Sequence, residues 1–101
     1  MMPFMTTWRR SLETDKIGVI GLARKAGKVI LGYDMVYRNR RKCLLLLIAS
    51  DISPRTRKNI EKLGIRILNT ELMKIDLGKA VGAEKVAVIG ITDENFAKMF
   101  I

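Results

Sequence analysis

The side chains that could take part in chemistry are concentrated in one basic, glycine-punctuated segment, residues 22–38. Lys25 and Lys28 flank a turn before a short apolar stretch, and Arg38 follows Gly32 further along the segment. A glycine at the point where a strand passes into a helix presents unpaired backbone N–H groups and the partial positive charge of a helix N-terminus. We interpret the segment as a binding site for a polyanion, with RNA as the first candidate.

The side chains on which most enzymes depend are missing from this chain. It has no histidine and a single cysteine, so neither the common zinc sites nor a Ser-His-Asp or Cys-His arrangement can be assembled. A P-loop is also excluded, because five residues separate Gly21 from Gly27 where the motif needs four, and Val29 replaces the Ser or Thr that binds Mg²⁺. We therefore predict no enzyme activity, no metal and no cofactor.

An excess of positive charge favours a polyanionic partner. The chain has 19 Lys and Arg residues against 10 Asp and Glu residues, which gives a net charge of +9. Such an imbalance attracts nucleic acid or an anionic membrane but does not determine a fold. The longest apolar run, residues 44–49, is too short to cross a bilayer, and we recognise no signal peptide. We expect a cytoplasmic protein with no membrane contact.

Strand and helix patterns alternate along the chain and predict the elements that position the basic segment. Short apolar runs predict four strands, at residues 29–31, 44–49, 65–68 and 86–91. Capping residues and glycines predict five helices, at residues 15–26, 34–42, 54–63 and 71–81 and from 92–94 onward. This alternation predicts an α/β fold, a three-layer α/β/α sandwich around a four-stranded mixed sheet.

The chain is expected to comprise a short extension and one domain. Residues 1–14 show no clear hydrophobic period, so we predict an N-terminal extension there and a single domain over residues 15–101. Cys43 adjoins an apolar run and is predicted to be a buried structural thiol. We expect a monomer.

Four blocks of sequence, in this order, resemble the kink-turn RNA-binding ribosomal proteins, and in particular their short bacterial ribosomal-protein-like members. The blocks are residues 22–28, 46–54, 77–82 and 88–97. The third block, extended back to Glu71, is the most specific of the four. The resemblance implies an α/β/α domain that binds structured RNA without catalysis. A kink-turn-like RNA, ribosomal RNA and the ribosome are the partners that it implies.

The resemblance also implies where RNA would bind. In that family the junction of the first strand and the second helix reads G-x-N-E-x-x-K, and its Asn and Glu contact the sheared G·A pairs of the kink. Here Gly32 matches, Arg38 keeps the charge of the Lys, Asp34 replaces Asn and Met35 replaces Glu. Asp34 lacks the amide donors and Met35 accepts no hydrogen bond from a guanine edge. These exchanges leave an alternative open, a protein-interaction module that kept the fold and lost kink-turn recognition.

Two further RNA surfaces are implied by the family, the turn at residues 49–54 and the loop at residues 82–86, where apolar side chains pack on a flipped-out nucleotide. Tyr33 is placed either to stack on a base or to pack against the strand. We expect Lys25, Lys28 and Arg38 to lie near Gly32 as one phosphate-contacting face. The candidate RNA-binding residues are Lys25, Lys28, Gly32, Tyr33, Asp34, Met35, Arg38, Ala83 and Lys85.

Overall fold

Four strands form one mixed sheet in the computed structural model, which describes residues 17–100. The predicted extension, residues 1–14, lies outside the described residues. The strand order is β1-β4-β2-β3, with β4 antiparallel to both of its neighbours and β2 parallel to β3. The strands are β1 (Val29–Leu31), β2 (Leu45–Ile48), β3 (Ile67–Asn69) and β4 (Val88–Ile91).

Helices cover both faces of this sheet and make the predicted three-layer α/β/α sandwich. The helices are α1 (residues 17–25 of the described part), α2 (Tyr33–Arg38), α3 (Pro54–Glu61), α4 (Lys74–Val81) and α5 (Glu94–Lys98). Successive side chains of a strand point to opposite faces, so the two faces hold two separate apolar clusters. Side chains of α1, α4 and α5 belong to one cluster, and side chains of α2 and α3 to the other.

Strand β2 shows why the apolar run was a reliable signal. Leu45 and Leu47 belong to the cluster with α1, α4 and α5, whereas Leu46 and Ile48 belong to the cluster with α2 and α3. All four side chains are at most 1% exposed. A strand buried on both faces reads as a continuous apolar run, as the sequence predicted.

Two predicted helix boundaries are wrong by three residues or more. Helix α2 ends at Arg38 and not at residue 42, because the side chain of Asn39 donates a hydrogen bond to the Met35 carbonyl (2.9 Å) and turns the chain. Helix α4 begins at Lys74 and not at residue 71. Thr70, which directly precedes the predicted start and would have to cap it, instead donates its hydroxyl hydrogen bond to the carbonyl of Ile48 (2.7 Å), on the neighbouring strand.

Cys43 is 6% exposed, in the cluster with α2 and α3, and burial raises the pKa of its thiol. It is thus a buried thiol, as predicted. Within residues 17–100, none of the helices combines the length and the apolar character needed to cross a bilayer.

Candidate nucleic-acid interface

The direction of the strands divides the loops between two edges of the sheet. The Gly32 edge is where β1, β2 and β3 end and β4 begins; there the N–H of Gly32 donates to the carbonyl of Val88 (3.0 Å). The Lys28 edge is where β1, β2 and β3 begin and β4 ends; there the N–H of Thr92 donates to the carbonyl of Lys28 (3.0 Å). The two edges are separated by the length of a strand.

Gly32 turns the chain from β1 into α2. Its φ of 85° and ψ of 154° lie in a region that only glycine enters without strain. Its N–H is used in the hydrogen bond to Val88, and its carbonyl accepts from Val36 N–H (3.0 Å). The amide of Gly32 itself is therefore not free. Gly32 thus shapes this corner of the Gly32 edge.

The side chains that follow Gly32 divide into exposed and packed ones. Asp34 is exposed and Met35 is 47% exposed, so both positions of the family motif are open to a ligand. Tyr33 is half-buried and packs against the apolar cluster under α2. Its ring centroid lies 6.2 Å from that of Tyr37. Of the two roles considered for Tyr33, this geometry favours packing.

The turn after β2 is attached to the start of α4. The carboxylate Oδ1 of Asp51 accepts a hydrogen bond from the N–H of Lys74 (2.8 Å). The N–H of Ser50 donates to the carbonyl of Leu72 (2.8 Å). A carboxylate at a helix N-terminus satisfies a free N–H and complements the helix dipole. These two bonds fix the turn and α4 relative to each other at the Gly32 edge.

The loop between α4 and β4 lies directly against α4. A Cβ atom added at Gly78 would stand 2.5 Å from the carbonyl oxygen of Glu84 and 2.9 Å from the nitrogen of Lys85. The N–H of Val86 donates to the carbonyl of Lys74 (3.0 Å), and Ala83 and Lys85 are exposed. The glycine thus allows the loop to approach the helix closely and brings it back to the Gly32 edge.

These segments enclose a recess of about 310 Å³ that the sequence did not predict. We call it the Met73 recess; it is lined by Asp51, Met73, Lys74, Ile75 and Lys85. Met73 is 50% and Ile75 45% exposed. The available signal was helical spacing, because Ile75 falls outside the buried stripe of α4 formed by Leu77 and Val81. The recess therefore combines two cations, one carboxylate and two open apolar side chains.

The predicted single basic face around Gly32 is wrong in its geometry. Lys28 lies at the Lys28 edge, and Lys25 precedes it at the end of α1. Arg38 ends α2, after which the chain runs to Leu44, whose N–H donates to the carbonyl of Ile91 (2.8 Å) at the Lys28 edge. Lys74 and Lys85 do lie beside the other predicted surfaces.

Two solved structures share this fold. A Bacillus halodurans protein with unknown function superposes with a TM-score of 0.70 at 24% identity, covering 83% of this chain and 91% of that chain. The Giardia lamblia 15.5kD RNA binding protein superposes with a TM-score of 0.65 at 18% identity, covering 89% of this chain and 82% of that chain. Both resemblances concern the fold.

Sequence similarity identifies the family. The RNA-binding protein YlxQ of Bacillus subtilis (strain 168) is 31% identical over 89 residues, covering 82% of this chain and 88% of that protein. A family model, described as the ribosomal protein L7Ae/L30e/S12e/Gadd45 family, matches residues 17–101. The chain therefore belongs to the ribosomal protein L7Ae/L30e/S12e/Gadd45 family.

Proposed function

We propose that this protein binds structured RNA of the kink-turn type at the Gly32 edge, without catalysing a reaction. The observation that carries the proposal is the meeting of three segments at one edge: the β1–α2 junction, the turn after β2 and the α4–β4 loop. YlxQ and the Giardia protein are both named as RNA-binding proteins, which supports the same class of ligand.

The Met73 recess is the part of this edge that fits an unstacked nucleotide. Single-stranded and bulged RNA is recognised through bases that leave the stack and pack on side chains, while cations contact the phosphates. Met73 and Ile75 provide the open apolar surface, and Lys74 and Lys85 stand beside them. Binding would thus combine apolar contact with one nucleotide and ionic contact with the adjacent backbone.

The exposed Asp34 and Met35 shape the expected specificity. Neither side chain can reproduce the amide and carboxylate contacts that Asn and Glu make with G·A pairs in the family. Recognition would then depend more on the flipped nucleotide and the phosphates than on the sheared pairs. The proposal extends to a monomer in the cytoplasm, with ribosomal RNA among its targets.

The test is a titration of the full chain with a fluorescent kink-turn RNA and a plain duplex of the same length, at several salt concentrations. We expect tighter binding of the kink-turn RNA, with a slope of log K against log salt of about −2 if Lys74 and Lys85 each neutralise one phosphate. Lys85→Gln should reduce the steepness of that slope by about 1. Lys58→Gln, on the exposed side of α3, is the matched control and should leave it unchanged.

Equal affinity for both RNAs, with no effect of Lys85→Gln, would overturn the proposal. A second variant addresses the rival interpretation directly. In a kink-turn binder, Asp34→Asn combined with Met35→Glu should strengthen binding of the kink-turn RNA, because it supplies the missing hydrogen-bonding groups. In a protein-interaction module the same variant would leave RNA binding absent.

A further inference from the structure

The most concentrated positive charge on the described surface lies away from the Gly32 edge. Five consecutive residues, beginning with the last residue of α2, line a recess of about 390 Å³, which we call the Arg41 recess; they are Arg38, Asn39, Arg40, Arg41 and Lys42. Four of the five carry a positive charge, and none is acidic. Among residues 17–100, the ion pair is between Lys98 and Glu94. No described carboxylate therefore pairs with a cation of this recess.

From this arrangement we propose a second RNA-binding surface, in which the Arg41 recess holds the sugar-phosphate backbone of another RNA segment. The protein would then connect two RNA segments, one at each edge of the sheet. The connection rests on the proposed function, whereas RNA binding by the Arg41 recess does not depend on it.

The backbone around the recess is held in place by its own side chains. The Nη1 atom of Arg40 donates to the carbonyl of Tyr37 (2.7 Å), and its guanidinium lies 4.5 Å from the centre of the Tyr37 ring. The side chain of Asn39 donates to the carbonyl of Met35 (2.9 Å). Both bonds use the last carbonyls of α2, so the turn that presents Arg41 and Lys42 is fixed before any ligand arrives.

The chemistry of these side chains matches phosphate. A guanidinium has five N–H donors in a planar fork that fits two phosphate oxygens at once. Arg40 uses one of its N–H donors in the hydrogen bond to the Tyr37 carbonyl, and Arg41 forms no hydrogen bond among the described residues. Several arginines around one recess, with a lysine beside them, are the donor set that repeated phosphates require.

Position separates this surface from the Gly32 edge. The six residues of α2 set its two ends about 9 Å apart, at a rise of about 1.5 Å per residue. From the recess the chain continues to Leu44 at the Lys28 edge, where Lys28 and Arg66 add further positive charge. An RNA seated at the Gly32 edge would therefore leave these cations open to a second segment.

Charge balance points the same way. At the Gly32 edge carboxylates accompany the cations, in segments that include Asp34, Asp51, Glu71 and Glu84. A phosphate backbone is repelled by those carboxylates and attracted by the Arg41 recess. Non-specific attraction of RNA should therefore come mainly from the recess, while the Gly32 edge supplies the selective contacts.

The test uses the full chain and a double variant, Arg41→Gln with Lys42→Gln, which leaves the Arg40–Tyr37 contact intact. The matched control, Lys58→Gln with Lys79→Gln, removes the same charge from exposed positions of α3 and α4. Anisotropy titrations measure binding of a plain RNA duplex at several salt concentrations. A second assay measures how much labelled duplex the protein captures onto an immobilised kink-turn RNA.

We expect the double variant to bind the duplex roughly tenfold more weakly, with a salt slope reduced in steepness by about 2. Its capture of duplex should be lost, while its affinity for the kink-turn RNA stays close to that of the parent. The control should retain capture. Thermal unfolding of each variant verifies that the fold is intact. If the double variant is unfolded, Arg41→Gln alone replaces it, and half of the slope change is then expected.

Duplex binding that falls equally in the double variant and its control would overturn the second surface. Duplex binding that neither pair of substitutions weakens would also overturn it. That result is expected if the recess binds an acidic protein and not RNA. If duplex binding depends on the recess but kink-turn RNA is never preferred, the second surface stands and the proposed function at the Gly32 edge fails.

Discussion

The carboxylate of Asp51 caps helix α4 from a turn that lies 23 residues earlier in the chain, at 2.8 Å from the N–H of Lys74. The two residues also line the Met73 recess. One hydrogen bond therefore holds the turn after β2 and the start of α4 at a fixed separation. It contributes both to the stability of the fold and to the shape of the proposed RNA surface.

Replacing this cap should destabilise the protein. Asp51→Ala is expected to lower the free energy of unfolding by about 1 kcal/mol, the usual cost of removing an N-cap side chain. Asp51→Asn keeps an oxygen acceptor and should cost less. Urea unfolding of the three proteins measures the difference. Identical urea midpoints for Asp51→Ala and the parent would show that the bond contributes nothing to stability.

Close packing at Gly78 should make it sensitive to a single methyl group. In Gly78→Ala the new Cβ would meet backbone atoms of Glu84 and Lys85, so the α4–β4 loop must move. We expect a loss of roughly 1–3 kcal/mol in the free energy of unfolding, as for other overpacked positions. Weaker binding of kink-turn RNA should accompany it, because Lys85 moves with the loop.

The control for this variant is Lys79→Ala, at the neighbouring exposed position of α4. Thermal unfolding and amide chemical shifts of residues 83–86 report stability and loop position separately. A Gly78→Ala protein with unchanged shifts in that loop would contradict the predicted displacement.

Gly32 and Gly18 should respond to alanine in opposite directions. Gly32→Ala places a side chain at a φ of 85° and is expected to cost about 1–3 kcal/mol of stability. Gly18 lies exposed in α1, with nothing within 4 Å of an added Cβ, so Gly18→Ala should stabilise by about 0.5–1 kcal/mol. Thermal melts of the two variants test the pair. Stabilisation by Gly32→Ala would refute the conformational role assigned to this glycine.

Cys43 should be unreactive until the protein unfolds. Burial disfavours the thiolate and raises the pKa of this thiol, and the thiolate is the reactive form. We expect slow modification by iodoacetamide in buffer and fast modification in urea. Rapid labelling of the folded protein would contradict the burial of Cys43.

The same shift has a consequence for stability at alkaline pH. The folded state holds the proton of Cys43 more tightly than the unfolded chain does, because burial raises the pKa of the thiol. The contribution of this group to the free energy of unfolding is therefore fully present at pH values below the ordinary pKa of a thiol. It is lost as the pH rises through the raised pKa of the folded state. Comparing urea midpoints against pH for the parent and Cys43→Ala isolates this component, which the variant should lack.

The sequence predicted those parts of the fold that depend on local pattern. The apolar run at β2, the Ser53-Pro54 start of α3 and the left-handed Gly82 at the end of α4 each carry a local signal, and each is found. The sandwich follows from the alternation of such elements. Four ordered blocks were enough to indicate the family.

Some of the parts that failed depend on contacts between distant residues. The single basic face fails for a different reason, because Lys28 and Gly32 flank the strand at residues 29–31 and the length of that strand places them at opposite edges of the sheet. The start of α4 was misplaced because its cap comes from Asp51. The Met73 recess forms where the turn after β2, the start of α4 and the α4–β4 loop meet. Helical spacing could separate Ile75 from the buried stripe of α4, but it could not place Asp51 and Lys85 beside it.

Strand order also governs when this protein can become functional during its own synthesis. The strand β4 is the last of the four to be made, yet it lies between β1 and β2, and β1 has no other partner in the described sheet. A nascent chain that has not reached Ile91 therefore cannot assemble the four-stranded sheet. Gly32, which reaches the edge through its bond to Val88, takes its place only then. The recognition proposed for the Gly32 edge therefore requires a chain that extends through β4.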